Sequence, residues 1–468
     1  MHFSIIYNFI AILIRSLQDS KGETFYGNYR SLTPSARKKY VRHLQVQMPE
    51  LFTEMPISCR ELTENMITGD FMSRLEKLMP SSASSEHDFS GVILLQVLEK
   101  CLSSRLSQEI LAFPHGEEVS GLNTNQQETQ ILLLPRCKCA WERKGRGTAY
   151  RNNLMQNLNY LFFLDLKALK EFHIKNIYLQ PPVSLASENT LCISLSPMCD
   201  WIKVTEELSE SSEGVRYFRI KGLKNAETLT ELICQILQKA QQENADIVIF
   251  PELLGTEDAV KSIQSRLIEG EIFNLENKIP FLILLPSICK DGKNQCTILS
   301  GHGKLYGRQQ KHEGFFQPLE DGSLAKEMLS TDNTICLFHM DGIGRFAAMI
   351  CKDFLTDSYR ELFLSQLEVR LLLVPSFSTG EHDFSLVSDK CKTEDCCVAW
   401  VNTCSAKSFL SPDKQDNLDI ISFVQKSGSH RDRNIVKFYQ HNSCKKGCCK
   451  KMQPCLFCTE LIYHTYTF

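Results

Sequence analysis

Three residues whose side chains could together perform thiol chemistry each follow an apolar stretch of this 468-residue chain. Cys351 comes directly after the apolar residues 347–350, and Glu252 and Lys311 follow the stretches 246–250 and 305–310. A cysteine nucleophile needs a base to accept its proton, and a desolvated carboxylate can serve as that base. A lysine ammonium group can stabilise the oxyanion of a tetrahedral intermediate. The three side chains therefore predict a thiol-dependent site, provided that one edge of one sheet gathers them.

Cys351 lies where an apolar strand pattern gives way to a helical one. A helical face formed by Tyr359, Leu362, Phe363 and Leu367 begins soon after the cysteine. A sharp turn from strand to helix would lift the thiol out of the sheet, and free backbone N–H groups of the helix could hold an oxyanion. Considered alone, in a chain with 20 cysteines, Cys351 is better explained as a packing residue. Glu252 and Lys311 change that interpretation.

The elements that must position these residues begin after Pro181-Pro182, where strands and helices alternate. An amphipathic helix is predicted over 225–242, an acidic solvated loop over 206–214 and a lid loop over 313–333. Turn residues at 301–303 and at Asp341-Gly342 indicate two hairpins. This mixture predicts a mixed sheet covered by helices, an α/β layered fold. The predicted strands are 191–195, 246–250, 281–285, 295–300, 305–310, 334–340, 345–350, 370–374 and 397–401.

The first 185 residues have a mainly helical pattern and no recognisable chemical motif. Thr33-Pro34 is an N-cap followed by proline at the first helical position. A strand is predicted over 131–134 and a helix over 150–172. The apolar run 3–14 is too short to span a bilayer, which needs roughly 20 residues, and it has no basic region before it. A buried helix is therefore expected there.

Residues 191–407 resemble the nitrilase, or carbon–nitrogen hydrolase, superfamily. The resemblance rests on ADIVIFPELLG after an amphipathic helix, a lysine after a strand that contains Leu-Tyr, and Cys-x-Asp-Phe after an apolar strand, in the order of that family. Two further matches are PSFS at 375–378 and a late strand, CCVAWVNTCS, that ends in asparagine. The resemblance implies an α-β-β-α layered sandwich, preceded here by the mainly helical N-terminal region.

Carried over residue by residue, the resemblance implies that Glu252 is the general base, Cys351 the nucleophile that forms a thioester, and Lys311 the oxyanion stabiliser. The backbone N–H of Lys352 would complete the oxyanion site. The family often has a second glutamate after its lysine, for which Glu320 is the best spaced candidate. Glu313 is a rival for that role, and Lys304 is an alternative lysine.

The sequence also departs from the family at two positions. Gln309-Gln310 stands before Lys311 where Tyr-Arg is common, and Lys352 replaces the aromatic or small residue that often follows the cysteine. A cation beside the nucleophile would favour the thiolate and would suit an anionic substrate.

Three segments are expected: a helical region of unknown function at 1–185, a nitrilase-like domain at 186–410 and a basic, cysteine-rich tail at 411–468. In the tail, four thiols could enclose a tetrahedral zinc ion, or they could remain unliganded. The other cysteines are spread through predicted strands and helices, which favours reduced thiols and a cytoplasmic protein. The four tail residues are Cys444, Cys448, Cys455 and Cys458.

The formal net charge of −3 gives no general reason to expect a polyanionic partner. Two stretches, 136–151 and 426–451, are nevertheless basic. They are either solvated loops or weak indications of nucleic-acid binding. No segment is long enough to predict a membrane span.

The sequence therefore predicts an amidase-type hydrolase of a non-peptide C–N bond that acts on a small amide and uses no organic cofactor. The family resemblance also implies a homo-oligomer. A different class remains open: a catalytically silent nitrilase-like module that senses or scaffolds within a larger, nucleic-acid-associated system. Ammonia release from amides by the wild type, compared with Cys351→Ala, distinguishes the two.

Overall fold

The computed structural model describes residues 2–53, 58–80, 88–142, 152–188, 190–211, 214–319, 321–409, 420–427, 435–439 and 454–462. The chain divides into two units. The first comprises 1–114, 118–137 and 144–171, and the second comprises 115–117, 138–143 and 172–468.

The first unit combines seven helices and a two-stranded sheet in its described part. The first helix is the buried helix expected for the apolar run, and the Thr33 hydroxyl accepts a hydrogen bond from Ala36 N at 3.2 Å, as an N-cap does. The helices are α1 (His2–Ser20), α2 (Glu23–Arg30), α3 (Pro34–Gln47), α4 (Gly69–Lys77), α5 (Ser90–Cys101), α6 (Ser103–Ala112) and α7 (Gln126–Thr129).

The helix predicted over 150–172 is wrong. Its apolar core forms strand β2 (Leu161–Asp165), which pairs antiparallel with β1 (Ile131–Pro135). A run of four adjacent apolar residues fits a buried strand as well as a helix, and here the partner strand some thirty residues earlier decides the outcome. The strand predicted over 131–134 is confirmed.

The second unit is built on two seven-stranded sheets in its described part. In the first sheet the neighbours run β11-β10-β8-β7-β4-β20, with β9 paired to β10. Strands β4, β7 and β8 are parallel, and the flanking pairs are antiparallel. These strands are β4 (Thr190–Leu195), β7 (Ile247–Ile249), β8 (Leu282–Leu284), β9 (Ile288–Lys290), β10 (Lys293–Leu299), β11 (Leu305–Gln310) and β20 (Phe457–Ile462).

The second sheet has the order β19-β18-β17-β16-β15-β14-β3. Both predicted hairpins are confirmed, β10 with β11 and β14 with β15. Three of the strands come from the segment after 410, two in this sheet and one in the first. The strands of the second sheet are β3 (His173–Tyr178), β14 (Thr334–Met340), β15 (Gly344–Ala348), β16 (Leu371–Pro375), β17 (Cys397–Val401), β18 (Ile420–Gln425) and β19 (Ile435–Tyr439).

A third, four-stranded sheet replaces two predicted loops. The acidic stretch expected to be a solvated loop lies largely in β5 (Lys203–Glu210), and the expected lid contains β12 (Phe316–Pro318) and β13 (Leu324–Glu327). With β6 (Arg216–Lys224) these strands form the order β12-β13-β6-β5, and β13 and β6 are parallel. Residues 216 and 325 are far apart in the chain, so local composition did not indicate their pairing.

Helices cover the sheets of the second unit. The amphipathic pattern predicted over 225–242 is confirmed in α9 (Leu229–Gln242), whose apolar face is buried in one cluster with α10 (Glu257–Ile268) and strands β7 and β8. The remaining helices are α8 (Val183–Glu188), α11 (Lys352–Leu355), α12 (Asp357–Glu361) and α13 (His382–Thr393). Over the described part of the chain, no helix is both long enough and apolar enough to cross a bilayer.

Candidate active site

Cys351 occupies a strained turn between a strand and a helix. It is the third residue after β15 and immediately precedes α11, and its backbone has φ of 50° and ψ of −103°. A positive φ is costly for a residue with a side chain, and such strain is concentrated at functional sites. The turn is held because Cys351 N donates to Pro375 O at 2.9 Å. The strand-to-helix position predicted for Cys351 is confirmed.

Glu252 follows β7 and is almost completely buried, with 1% exposure. Its Oε1 accepts hydrogen bonds from Asn294 Nδ2 and from Lys311 Nζ, both at 2.8 Å. Its Oε2 accepts from Phe377 N at 2.9 Å. Both carboxylate oxygens are therefore fixed by donors, which stabilise the ionised form and oppose the effect of burial.

Lys311 follows β11 and contacts two carboxylates. Its Nζ lies 2.8 Å from Glu252 Oε1 and 2.7 Å from Glu327 Oε2, and all three side chains are at most 3% exposed. Lys311 N also donates to Asn294 O at 2.8 Å. Two carboxylates thus share one ammonium group in a buried cluster, which we call the Glu-Lys-Glu cluster (Glu252, Lys311, Glu327).

The Phe377 peptide links Glu252 to the cysteine. Its N–H donates to Glu252, and its carbonyl oxygen lies 3.9 Å from Cys351 Sγ. The Cys351 thiol is also within hydrogen-bonding range of the Glu252 carboxylate. This peptide belongs to the PSFS segment after β16, so that segment bridges the cysteine and the carboxylate.

Burial determines the resting protonation of the cysteine. It raises the pKa of the Cys351 thiol well above its ordinary value, and the adjacent Glu252 carboxylate adds to the shift while Lys311 opposes it. The thiol is therefore protonated at neutral pH, contrary to the thiolate that a neighbouring Lys352 was expected to favour. A base must accept the thiol proton before the sulfur can attack.

The pKa values of Glu252 and Lys311 are shifted for different reasons. Burial raises the pKa of Glu252, with Lys311 opposing the shift and Glu327 adding to it. Burial lowers the pKa of Lys311, but Glu252 and Glu327 more than offset this and hold it well above its ordinary value. Lys311 therefore stays positively charged, and Glu252 is a stronger base than an exposed carboxylate.

Asp353 connects the helix after the cysteine to the residues after Lys311. It is the second residue of α11 and is fully buried, and its Oδ1 accepts from His312 N at 3.0 Å and Glu313 N at 2.7 Å. Tyr359 OH contacts His312 Nδ1 at 2.6 Å. Asp353 thus holds the Lys311 segment against α11.

Glu327 was missed by the sequence reasoning. It ends β13, whose residues alternate between exposed and buried and direct Glu327 inward. Asp321-Gly322, a turn signal just before this short strand, was the available indication. The predicted second glutamate, Glu320, lies outside the described residues. The backbone of its rival Glu313 contacts Asp353, as described above.

Several other predicted residues lie elsewhere or are not described. The alternative lysine, Lys304, is 43% exposed and pairs with Glu117 at 2.9 Å. Lys352 is the first residue of α11, and its N–H is one of those that the helix itself leaves without an acceptor. Within the basic stretches, Arg136 is buried and donates to Met155 O at 3.4 Å. Residues 143–151, 428–434 and 440–451 are outside the described residues.

Only half of the predicted zinc set is described. Cys444 and Cys448 lie outside the described residues. Cys455 is buried, its carbonyl accepts from Ser196 Oγ at 2.8 Å, and Cys458 Sγ lies 2.9 Å from Ser194 Oγ in β4. Among the described residues there is no group of three or more metal-binding side chains suited to a metal ion. The zinc site remains a prediction.

Neither protein-family models nor curated protein sequences match this chain. Among solved structures, an amidase from Nesterenkonia sp. is similar with 13% identity and a TM-score of 0.38, over 59% of this chain and 91% of the amidase. A cysteine-to-alanine mutant of the amidase from Nesterenkonia sp. AN1 in complex with butyramide has 14% identity and a TM-score of 0.37, over 58% and 91%.

A third similar structure is Nit3 of Saccharomyces cerevisiae, a member of branch 10 of the nitrilase superfamily. It has 13% identity and a TM-score of 0.38, over 59% of this chain and 91% of Nit3. At this identity and TM-score, function has to be inferred from the side chains of the site.

Proposed function

We propose that this protein is a nitrilase-type carbon–nitrogen hydrolase that cleaves a non-peptide amide through a thioester on Cys351. The observation that carries the proposal is the buried Glu-Lys-Glu cluster beside a cysteine in a strained turn. Burying two carboxylates and an ammonium group is costly, and such groups are found together chiefly where chemistry needs them. A packing role for Cys351 would require none of these charges.

Glu252 acts as the general base in the proposed reaction. It accepts the thiol proton as Cys351 Sγ attacks the amide carbon, and the carbonyl oxygen becomes an oxyanion. The Lys311 ammonium group and the Lys352 N–H stabilise this oxyanion. Glu252 then returns the proton to the nitrogen, and ammonia or an amine leaves as the thioester forms.

Water completes the cycle. Glu252 removes a proton from the water, which attacks the thioester carbon. The second tetrahedral intermediate then collapses to a carboxylic acid, and Glu252 returns the proton to the departing Cys351 sulfur. Glu327 does not touch the reacting atoms in this scheme. It holds Lys311 Nζ through a second ion pair and raises the basicity of Glu252 by like-charge repulsion.

We also infer that the second unit has the α-β-β-α layered architecture of that superfamily. Supporting this inference, β11 of one sheet lies against β14 of the other. A Cβ at Gly307 of β11 would come 2.7 Å from Cys336 Sγ of β14, so the two strands approach closely. Helices α9 and α10 pack on the first sheet and α13 on the second.

The test is an ammonia-release assay on a panel of small aliphatic, aromatic and anionic amides, comparing the wild type with Cys351→Ala and Cys351→Ser. We expect turnover of at least one amide by the wild type and none by either variant. Mass spectrometry of the quenched wild-type reaction should detect an acyl group on peptide 346–352, in which Cys351 is the one cysteine. Equal turnover by wild type and Cys351→Ala would refute the proposed mechanism. No turnover on any amide, together with salt-sensitive RNA or DNA binding, would favour a silent sensing module instead.

A further inference from the structure

The first unit contains a pair of cysteines, Cys59 and Cys101, that has no role in the proposed chemistry. Cys101 ends α5 and is buried, whereas Cys59 is partly exposed between the exposed residues Ser58 and Arg60. Neither Cys59 nor Cys101 is in a disulfide bond. The Cys59 and Cys101 side chains lie within hydrogen-bonding range of each other.

Backbone contacts hold the two cysteines together. Cys59 pairs with Phe52 in an antiparallel bridge, and Arg60 N donates to Leu51 O at 2.8 Å. The Cys101 thiol lies 3.5 Å from the same Leu51 oxygen, and Leu62 N donates to Cys101 O at 2.9 Å. The Cys59 backbone and the Cys101 sulfur are thus both held beside Leu51 and Phe52, which keeps the two cysteines next to each other.

The pair is electrostatically asymmetric. A hydrogen bond from Cys101 and the positive charge of Lys100 lower the pKa of Cys59 to about 7, although partial burial opposes the shift. The Cys59 hydrogen bond and burial raise the pKa of Cys101 above its ordinary value. By contrast, burial raises the pKa of Cys289, another partly exposed cysteine, to about 11. One thiol of the pair is therefore partly exposed and nucleophilic, and the other is buried beside it.

We propose that Cys59 and Cys101 form an oxidation site, in which a hydroperoxide oxidises Cys59 and Cys101 resolves the product to a reversible disulfide. The Cys59 thiolate attacks the peroxide, the O–O bond breaks, Cys59 becomes a sulfenic acid and hydroxide leaves. Cys101 then loses its proton, attacks the Cys59 sulfur and displaces the sulfenic oxygen, which departs as water. Two thiols and one hydrogen peroxide thus give one disulfide and two waters.

The second step is favoured by the first. The Cys59 thiolate holds a proton on Cys101 by hydrogen bonding and by its charge. Conversion to the neutral sulfenic acid removes that charge and lowers the cost of deprotonating Cys101. Cys101 is therefore a poor initial nucleophile and becomes a competent resolving thiol only after Cys59 has reacted.

The test uses the full chain, reduced and then treated with hydrogen peroxide at pH 7, quenched with iodoacetamide and digested with trypsin. Cys59, Cys101 and Cys289 fall in the single-cysteine peptides 43–60, 101–105 and 279–290. A thiolate fraction of about one half for Cys59, against about 10⁻⁴ for Cys289, outweighs the lower nucleophilicity of the more acidic thiolate. We expect Cys59 to be oxidised about 10²-fold faster than Cys289.

The products distinguish the two roles. Wild type should give peptide 43–60 linked to 101–105, and dithiothreitol should release it. Cys101→Ser should instead leave a sulfenic acid on Cys59 that dimedone traps, and Cys59→Ser should protect Cys101 from oxidation. Equal oxidation of Cys59 and Cys289 in the wild type would overturn the proposal without reference to any variant. Oxidation of Cys101 in Cys59→Ser at the wild-type rate would overturn it as well.

Discussion

Replacing Glu327 with glutamine tests how the buried cluster sets the basicity of Glu252. Glutamine has nearly the same shape, and its oxygen can still accept the Phe315 N–H that Glu327 Oε2 accepts at 3.0 Å. The substitution therefore removes a negative charge with little change in packing. Because Glu327 raises the pKa of Glu252, Glu327→Gln should lower it.

The size of the shift follows from the geometry. The Glu252 and Glu327 oxygens contact the same Nζ at 2.8 and 2.7 Å, so they are no more than about 5.5 Å apart. At an effective dielectric constant of about 20, two unit charges at that distance repel by about 3 kcal/mol. This corresponds to about 2 pKa units. A base weakened by that amount should reduce kcat/KM about tenfold or more at neutral pH.

The assay is the pH dependence of Cys351 alkylation by iodoacetamide, which needs no knowledge of the substrate. The thiol is protonated at rest, so alkylation requires Glu252 in its ionised form to accept the proton. The rate should fall as pH decreases through the pKa of Glu252. That acid limb should lie above the ordinary glutamate range in the wild type, because burial raises the pKa. In Glu327→Gln it should move to lower pH by about 2 units.

Glu313→Gln is the matched control. It removes a carboxylate that is also close to Lys311 in the chain, and the charge of that carboxylate acts on Tyr359. Its acid limb should coincide with that of the wild type. An acid limb in Glu327→Gln that is unmoved, or that moves to higher pH, would refute the electrostatic coupling of the two glutamates. Once an amide substrate is known, the acid limb of kcat/KM should move in the same direction.

Three further substitutions test the site and its support. Glu252→Gln should reduce kcat/KM by about 10²- to 10⁴-fold in the ammonia assay. The variant should still show a thermal unfolding transition, as a folded protein does. A loss of kcat/KM below tenfold would exclude Glu252 as the base. Gly307→Ala would place a Cβ 2.7 Å from Cys336 Sγ and should destabilise the protein by about 1–3 kcal/mol in urea unfolding. Gly380→Ala is the control, because the space around its Cβ position is open, and it should leave the stability unchanged. Asp353→Ala leaves two backbone N–H groups without their acceptor and should lower the free energy of unfolding by about 1–3 kcal/mol per group. Asp353→Asn keeps an oxygen and should lower it by less. Equal losses in the two variants would show that the acceptor is unimportant.

Much of the second unit could be predicted from local patterns. The apolar stretches before Glu252, Lys311 and Cys351 are strands β7, β11 and β15 with the residues that follow them, and the helix before β7 buries the predicted face. Asp341-Gly342 marked the β14–β15 hairpin, with Gly342 at φ of 96°. These features depend on side-chain alternation, helical periodicity and turn residues within about twenty positions, which a sequence displays directly.

The predictions from sequence were wrong where a segment pairs with a strand that is distant in the chain. The run around Leu161 became a strand because β1 provides an antiparallel partner, and residues 206–210 became a strand through pairing with β6. Strand β20 likewise joins β4, which lies more than 250 residues earlier in the chain. Charged or short strands lack the apolar pattern that would identify them, so their partners supply most of the signal.

The sequence by itself determined which residues could do chemistry: a cysteine, a glutamate and a lysine, each at the end of its own strand. Tertiary structure alone decided their electrostatics. Glu327 reaches Lys311 because β13 pairs with β6, more than a hundred residues earlier, and the resting thiol is protonated because the fold excludes water from Cys351. Both outcomes arise from burial and from charges brought together across long separations in the chain, which residue order does not encode locally.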